Sequence, residues 1–368
     1  MQPTPGSAVV FAIAIRAYGR QNGTMWFDTL TLPALFAGFL IAASVIAVVG
    51  VRLTEMADRL ADQTGIGEAI AGAVLLGMAT SLAGTVVSFT AAADGEASLA
   101  FSNAIGGIAA QTAFLALADM VYRKANLEHA SADLANLFQA SLLTFMLGLP
   151  LAAYAGPDIS VLGVHPVSVA LPVIYILGLR VGGLVRDTPM WHPVHTGATR
   201  EDVPETEQDI SPSLVSLLIR FLLLAVILAV SGWIISKVGA QLSQRLGISA
   251  TVVGALMTAV ATSLPELITV LAAVRRGAVQ LAVGGIIGGN TFDVLFLTLA
   301  DAGYQSGSIY HAITHDDLFW VAVGLVMNSI LLIGLIVRQQ NGPGRIGVES
   351  LMILMIYLGA VAVQAIAA

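Results

Sequence analysis

Residues 254–301 read GALMTAVATSLPELITVLAAVRRGAVQLAVGGIIGGNTFDVLFLTLAD, and residues 72–119 read GAVLLGMATSLAGTVVSFTAAADGEASLAFSNAIGGIAAQTAFLALAD. Shifted by 182 positions, the two align without a gap and share 18 identities in 48 positions. The matches include Ala79-Thr80-Ser81-Leu82 with Ala261-Thr262-Ser263-Leu264, Ile105-Gly106-Gly107 with Ile287-Gly288-Gly289, and Leu117-Ala118-Asp119 with Leu299-Ala300-Asp301. A shared Gly and Ala content does not by itself reproduce a polar Thr-Ser pair in register, so these segments are internal repeats.

The surroundings of the repeats set their medium. Hydrophobic residues make up 57% of the 368 and charged residues 11%, against about 45–50% and about 25% in ordinary globular domains. Charge-free runs fill 29–51, 69–93, 97–118, 134–157, 159–179, 318–337 and 350–368. Each approaches the roughly 20 apolar residues that cross a bilayer as a helix. They are too long and continuous for the alternating strands of an outer-membrane barrel. The chain is therefore expected to be an all-α polytopic membrane protein. Its net charge of −7 and lack of a basic patch exclude nucleic acid as a partner. The absence of cysteine excludes disulfides, thiolate zinc sites and iron–sulfur clusters.

Ten transmembrane helices are expected, at about 31–52, 67–92, 97–118, 134–156, 160–182, 214–236, 246–274, 279–300, 317–337 and 347–367. Loops on one side carry eleven Arg and Lys residues and the opposite side four, so the positive-inside bias puts both termini outside. Arg220 lies inside the sixth span, where its long stem can snorkel to the interface. The repeats are offset by five spans, an odd number, so they run through the membrane in opposite senses. The expected organisation is an extracytoplasmic extension over 1–30 and a first five-helix repeat over 31–183. A proline-broken, acidic cytoplasmic linker follows over 184–213, then a second repeat over 214–368. No basic region precedes the apolar stretch at 8–15, which argues against a signal peptide, and Met25 is an alternative start. Inverted repeats place a substrate near the midplane, where broken helices meet.

The sharpest chemistry is Thr262-Ser263-Leu264-Pro265-Glu266. A glutamate inside an apolar span is costly unless it faces a cavity, partner or ion. Pro265 lacks an N–H and its ring clashes with the carbonyl of Ala261, so the helix should break there and free carbonyls beside two hydroxyls. Carboxylate, hydroxyl and carbonyl oxygens suit a hard cation. In Gly284-Gly285-Ile286-Ile287-Gly288-Gly289-Asn290-Thr291-Phe292-Asp293 the glycines permit close helix packing. Asn290 and Asp293, three apart, share a face. Glu266 and Asp293 are the candidate metal-binding acids. No metalloprotease, Ser/His/Asp or phosphate-loop pattern is present, so no enzymatic chemistry and no cofactor are expected.

These two motifs resemble the α-repeat of the sodium/calcium exchanger superfamily of cation antiporters, whose pattern is G-T-S-L-P-E followed by G-N-x-x-G-S-N-x-x-N/D. The ten-span count, external termini and long loop after the fifth span agree with that likeness. The resemblance implies alternating-access exchange of inorganic cations such as Ca²⁺, Na⁺ or H⁺ across a prokaryotic inner membrane. It implies Glu266, Thr262, Ser263, Asn290 and Asp293 as ion ligands, with Gly288 and Gly289 as tight packing. In the first copy it implies Thr80, Ser81 and Asn103 as ligands and Gly106 and Gly107 as packing. That copy departs from the pattern: Gly84 stands at the second essential glutamate, Ala83 at the proline, Ile108 at the asparagine and Gln111 at the final N/D. Fewer anions weaken Ca²⁺ binding, so the expectation is monovalent or proton-coupled exchange, or a weak divalent site. The alternative is a non-transporting cation sensor or assembly partner that retains the exchanger fold. His311, His315, Asp316 and Asp317 have a spacing compatible with an entry-mouth cation site but read first as a solvated outer loop, and Asp119 and Asp301 take a capping or interfacial role at equivalent helix ends.

Overall fold

The structure, a computed structural model, describes residues 26–64, 71–131, 133–161, 163–189, 192–199 and 213–367. The extension over 1–25 and most of the acidic part of the linker lie outside the described residues. The main helices are α1 (Leu32–Thr64), α2 (Ala71–Ala93), α3 (Ala97–Tyr122), the short α4 (Leu127–Ala130), α5 (Leu134–Ala155), α6 (Pro166–Asp187) and α7 (Leu214–Leu246). Then come α8 (Ala250–Thr262), α9 (Leu264–Arg276), α10 (Val279–Asp293), α11 (Phe296–Gly303), the short α12 (Ile309–Ala312), α13 (His315–Val337) and α14 (Val348–Ala367).

Among the described residues, eight spans are long and apolar enough to cross a membrane, α10 and α11 together forming one of them. The pair α8–α9, bent by 47°, supplies a ninth. The apolar stretch described within α2, Met78–Ala93, is shorter, and residues 65–70, where the expected second span begins, are not described. Several boundaries differ: the first helix runs on to Thr64 and the sixth span's helix to Leu246, past the expected 52 and 236. The fifth span starts at Pro166, not 160, because Pro166 opens the helix and His165 caps it by accepting from Val167 N.

Helix α3 is the axle of the bundle. It is buried over nearly its whole length and touches α2, α8, α9, α10, α13 and α14. Alanine and glycine make this possible, since small residues let helix backbones approach. A Cβ at Gly106 would collide with the backbone of Ala255 in α8. Gly232 of α7 likewise meets Ala83 of α2, where a Cβ would lie 2.6 Å from the Ala83 carbonyl.

The 182-residue relation continues past the aligned segments as reciprocal hydrogen bonds. Asp119 accepts from Leu127 N at 2.7 Å and from Gly347 N at 2.6 Å. Asp301 accepts from Ile309 N at 2.9 Å and from His165 N at 2.7 Å. Adding 182 to 119 and 127 gives 301 and 309, and subtracting it from 347 gives 165. The histidines obey the same rule: His129 bonds the Arg338 carbonyl and His311 the Gly156 carbonyl. Both acids thus cap a short helix in their own half and bind a backbone N–H at the start of a long helix in the other. The expected capping role of Asp119 and Asp301 is borne out. Asp317 departs from the expected solvated loop. It is buried and accepts from Ser98 Oγ, Thr251 Oγ1 and Thr314 N at 2.7–2.8 Å, tying three helix starts together.

The equivalence does not extend to Glu128, whose counterpart is Tyr310. Glu128 is buried beside Asp119 and Glu349, and its Oε1 accepts from Ser350 Oγ at 2.8 Å. Burial, and then the Asp119 carboxylate, push it up from 4.5 to about 7. A raised carboxyl pKa means that the folded form holds the proton more tightly. The stabilisation is therefore complete below about 4.5 and lost as pH rises through about 7. Glu128→Gln mimics the protonated form, so its melting temperature relative to the wild type should climb between pH 5 and 8. A difference that stays constant across that range would refute the assignment.

Candidate ion-binding site

The local break in α8–α9 follows from Pro265. The proline sits in the first turn of α9, where its missing N–H costs nothing, but it cannot continue α8. Ser263 takes φ −95° and ψ 5° at the junction, and a π-helical turn over Val253–Thr258 precedes it. π-turns commonly occur at functional sites. Gly50 of α1 makes room for the bend, since a Cβ there would run into the Pro265 ring. Glu266 falls in the first turn of α9, where the helix dipole favours a negative charge.

A small cavity of about 10 Å³ lies at this junction, close to the least space that holds one water. Ser81 and Gly84 of α2, Asn103, Gly107 and Gln111 of α3, and Thr262, Ser263 and Glu266 of α8–α9 line it, with Asp293 and Phe296 beyond. Asp293 is buried and doubly bonded: Ser81 Oγ donates to Oδ1 at 2.5 Å and Gln111 Nε2 to Oδ2 at 2.7 Å. Gln111 Nε2 also donates to Ser263 Oγ at 3.1 Å. Under the 182 shift Ser81 becomes Ser263 and Gln111 becomes Asp293, so the two hydroxyl contacts are counterparts and the Gln111–Asp293 bond joins the two repeats. Glu266 differs. It is 5% exposed, and its Oε2 has no hydrogen-bond partner among the described residues.

The structure thus brings Ser81, Asn103, Thr262, Ser263, Glu266 and Asp293 together around one cavity. Asn103 is already engaged, donating to Gly84 O and Ser88 Oγ and accepting from Thr258 Oγ1 at 2.7 Å. Asn290 does not line the cavity; it donates to Thr112 Oγ1 at 2.9 Å, and its Oδ1 has no partner among the described residues. Thr80 is half-buried on α2 and also lies outside the lining. Gly107 faces Ser263 and Asp293, and Gly289 faces Gln111 Oε1, where added Cβ atoms would make ordinary contact. Gly288 likewise faces Gln139. Gln111 and Phe296 were not expected here. The alignment of Gln111 with Asp293 was the signal for the first. No three-group cluster of His, Asp and Glu has metal-holding geometry among the described residues.

A family profile described as "Sodium/calcium exchanger protein" matches residues 34–179 and 216–366. The chain belongs to the sodium/calcium exchanger family of membrane antiporters. The sodium/calcium exchanger MaX1 of Methanosarcina acetivorans is 30% identical over 101 residues, 27% of this chain and 29% of that protein. The inner membrane protein YrbG of Escherichia coli is 30% identical over 147 residues, 40% of this chain and 43% of that one. The chain thus spans under half the length of these two relatives. The putative antiporter CaxA of Alkalimonas amylolytica is 26% identical over 328 residues, 87% of this chain and 98% of that one. Two solved structures share the fold. NCX_Mj, a sodium–calcium exchanger soaked with Na⁺ and Sr²⁺, has a TM-score of 0.53 at 20% identity, covering 89% of this chain and 97% of its own. The H⁺/Ca²⁺ exchanger CAX has a TM-score of 0.63 at 12% identity, covering 97% and 92%.

Gln111→Leu removes both amide N–H donors and leaves a buried carboxylate oxygen short of a partner, a loss of about 1–3 kcal/mol. Its melting temperature in detergent should fall by several degrees. Gln111→Asn, which shortens the side chain but keeps the amide, should lose less. Equal melting of Gln111→Leu and wild type would mean that Asp293 does not depend on this bond.

Proposed function

We propose that this chain is a secondary-active antiporter that moves one hard cation against H⁺ or Na⁺ by alternating access. The cation passes through the cavity between α2, α3, α8–α9 and α10. The observation that carries the reading is Glu266: a carboxylate oxygen without a partner among the described residues, buried in a small cavity at a helix break. A charge in that position needs a counter-charge, and exchange of a bound cation for a proton or another cation supplies one. The hydroxyls of Ser81, Thr262 and Ser263, with Asp293, complete an oxygen lining. The names of the relatives, which speak of Na⁺, Ca²⁺ and H⁺ exchange, agree with a cation substrate.

The scaffold in this reading is ten spans in two five-helix halves of opposite topology, residues 31–183 and 214–368, joined by the linker. The reciprocal bonds of Asp119 and Asp301, and of His129 and His311, support it, because contacts that exchange under one fixed shift are those of a two-fold relation. The α2 segment supplies the tenth crossing. The positive-charge asymmetry puts both termini outside an inner membrane.

A second reading has one observation in its favour. Helix α2 runs unbroken through Ala83 and Gly84, so only one repeat carries the break. A cation sensor would keep this much. Purified chain in proteoliposomes, loaded and challenged separately with Na⁺, K⁺, Ca²⁺ and imposed pH gradients, separates the two. Transport predicts ion-specific flux that Glu266→Gln abolishes. Undiminished flux in Glu266→Gln removes this residue from the mechanism, and a cation-dependent thermal shift without any flux selects the sensor.

A further inference from the structure

Phe296 stands where the repeat relation calls for a carboxylate. Gly84 is the counterpart of Glu266 under the 182 shift. A Cβ at Gly84 would lie 2.7 Å from Phe296 Cε2, 3.2 Å from Cζ and 3.6 Å from Thr262 Oγ1. The space into which a side chain at position 84 would grow is therefore held by the ring. The ring is buried and braced in turn: Phe292 meets it edge-on at 6.4 Å between centroids, and Tyr175 meets Phe292 at 5.8 Å. Among the described residues that line the cavity, Phe296 alone presents a large hydrocarbon surface.

The ring has two consequences for the ion. Ca²⁺ stripped of water takes 6–8 oxygens arranged all round it, and a wall of ring carbon supplies none. The oxygen count points the same way. Both Asp293 oxygens are taken up by Ser81 and Gln111, so Glu266 Oε2 is the carboxylate oxygen of the cavity left open among the described residues. One open carboxylate oxygen falls far short of the 6–8 oxygens that Ca²⁺ takes.

We propose that Phe296 is a specificity-determining residue that seals the Gly84 side of the cavity, so that the site takes a monovalent alkali cation and refuses Ca²⁺. This rests on the transport reading of the cavity given above. The full chain is reconstituted in proteoliposomes, and uptake of ²²Na⁺ and ⁴⁵Ca²⁺ is driven by an outwardly or inwardly directed proton gradient. The wild type is expected to carry ²²Na⁺ at least tenfold faster than ⁴⁵Ca²⁺. Gly84→Glu combined with Phe296→Ala, which returns an opposed acid and the room for it, should raise the Ca²⁺/Na⁺ ratio at least tenfold, and Phe296→Ala alone by less. A wild type that carries both ions equally, or a folded double variant that keeps the wild-type ratio, overturns the proposal. If the double variant fails to fold, Phe296→Gln places an amide oxygen on the same wall, and an unchanged ratio in that variant overturns it too. A wild type that carries neither ion defeats the transport reading itself. The role of Phe296 is then decided by Ca²⁺-dependent melting, expected in the double variant and absent from the wild type; no shift in the double variant overturns the proposal.

Discussion

The constraint on which this molecule depends is the cost of a carboxylate in a nearly charge-free interior. A buried charge must be paired or hydrogen-bonded, or it gives up its ionisation. Asp119, Asp301 and Asp317 meet the demand with backbone N–H and hydroxyl donors drawn from distant parts of the chain. Each becomes a knot that fixes where helices begin and end. Asp293 meets it with Ser81 and Gln111. Glu266 does not, for its Oε2 finds no partner among the described residues and lies in a cavity. Glu128 shares that shortfall at its own Oε2, but Glu266 alone of the two lines the cavity at the helix break.

Much of this was legible in the chain. The apolar runs located the long helices because a bilayer-crossing helix needs about 20 uncharged residues and little else. Pro265 pointed to the break because it cannot continue the i→i−4 ladder, although Pro150 and Pro172 lie inside α5 and α6 without ending them. The repeat announced the pairing of the halves, but alignment faded after Asp119. Beyond that point Leu127-Glu128-His129-Ala130 and Ile309-Tyr310-His311-Ala312 keep one histidine and one alanine, while Gly156, His165, Arg338 and Gly347 act through backbone groups that carry no residue signature. Main-chain contacts leave little trace in composition.

The site was legible in its acids and less so in its neutral members. Ser81, Thr262 and Ser263 line the cavity as their motif suggests, yet Asn290 turns to Thr112 instead. An amide has several ways to be satisfied, and motif position alone does not choose among them. Gln111 looked like a lost ligand because an amide carries no charge. In place it is a donor to Asp293 and Ser263, which an aspartate there could not be. Phe296 was invisible because aromatic residues in apolar spans are ordinary, and only the glycine opposite it gives its position meaning.

The two repeats thus share a scaffold and differ where the ion would sit. At the ends, Asp119 and Asp301, and His129 and His311, bond backbone groups at corresponding positions. At the centre, 84 against 266 and 111 against 293 pair a glycine with an acid and an amide with an acid. The backbone follows the side chains: α8–α9 has a π-turn and a 47° bend, while α2 is continuous. A helix that already lacks some of its i→i−4 bonds changes direction at less cost than an intact one, because fewer bonds must be broken in a medium that offers no replacement. Under the transport reading, α8–α9 is then the element that responds to an ion, and α2 with Gln111 and Phe296 is the fixed wall against which it closes. Matching knots at the ends with a glycine at 84 and an acid at 266 give one scaffold a cavity whose two walls differ.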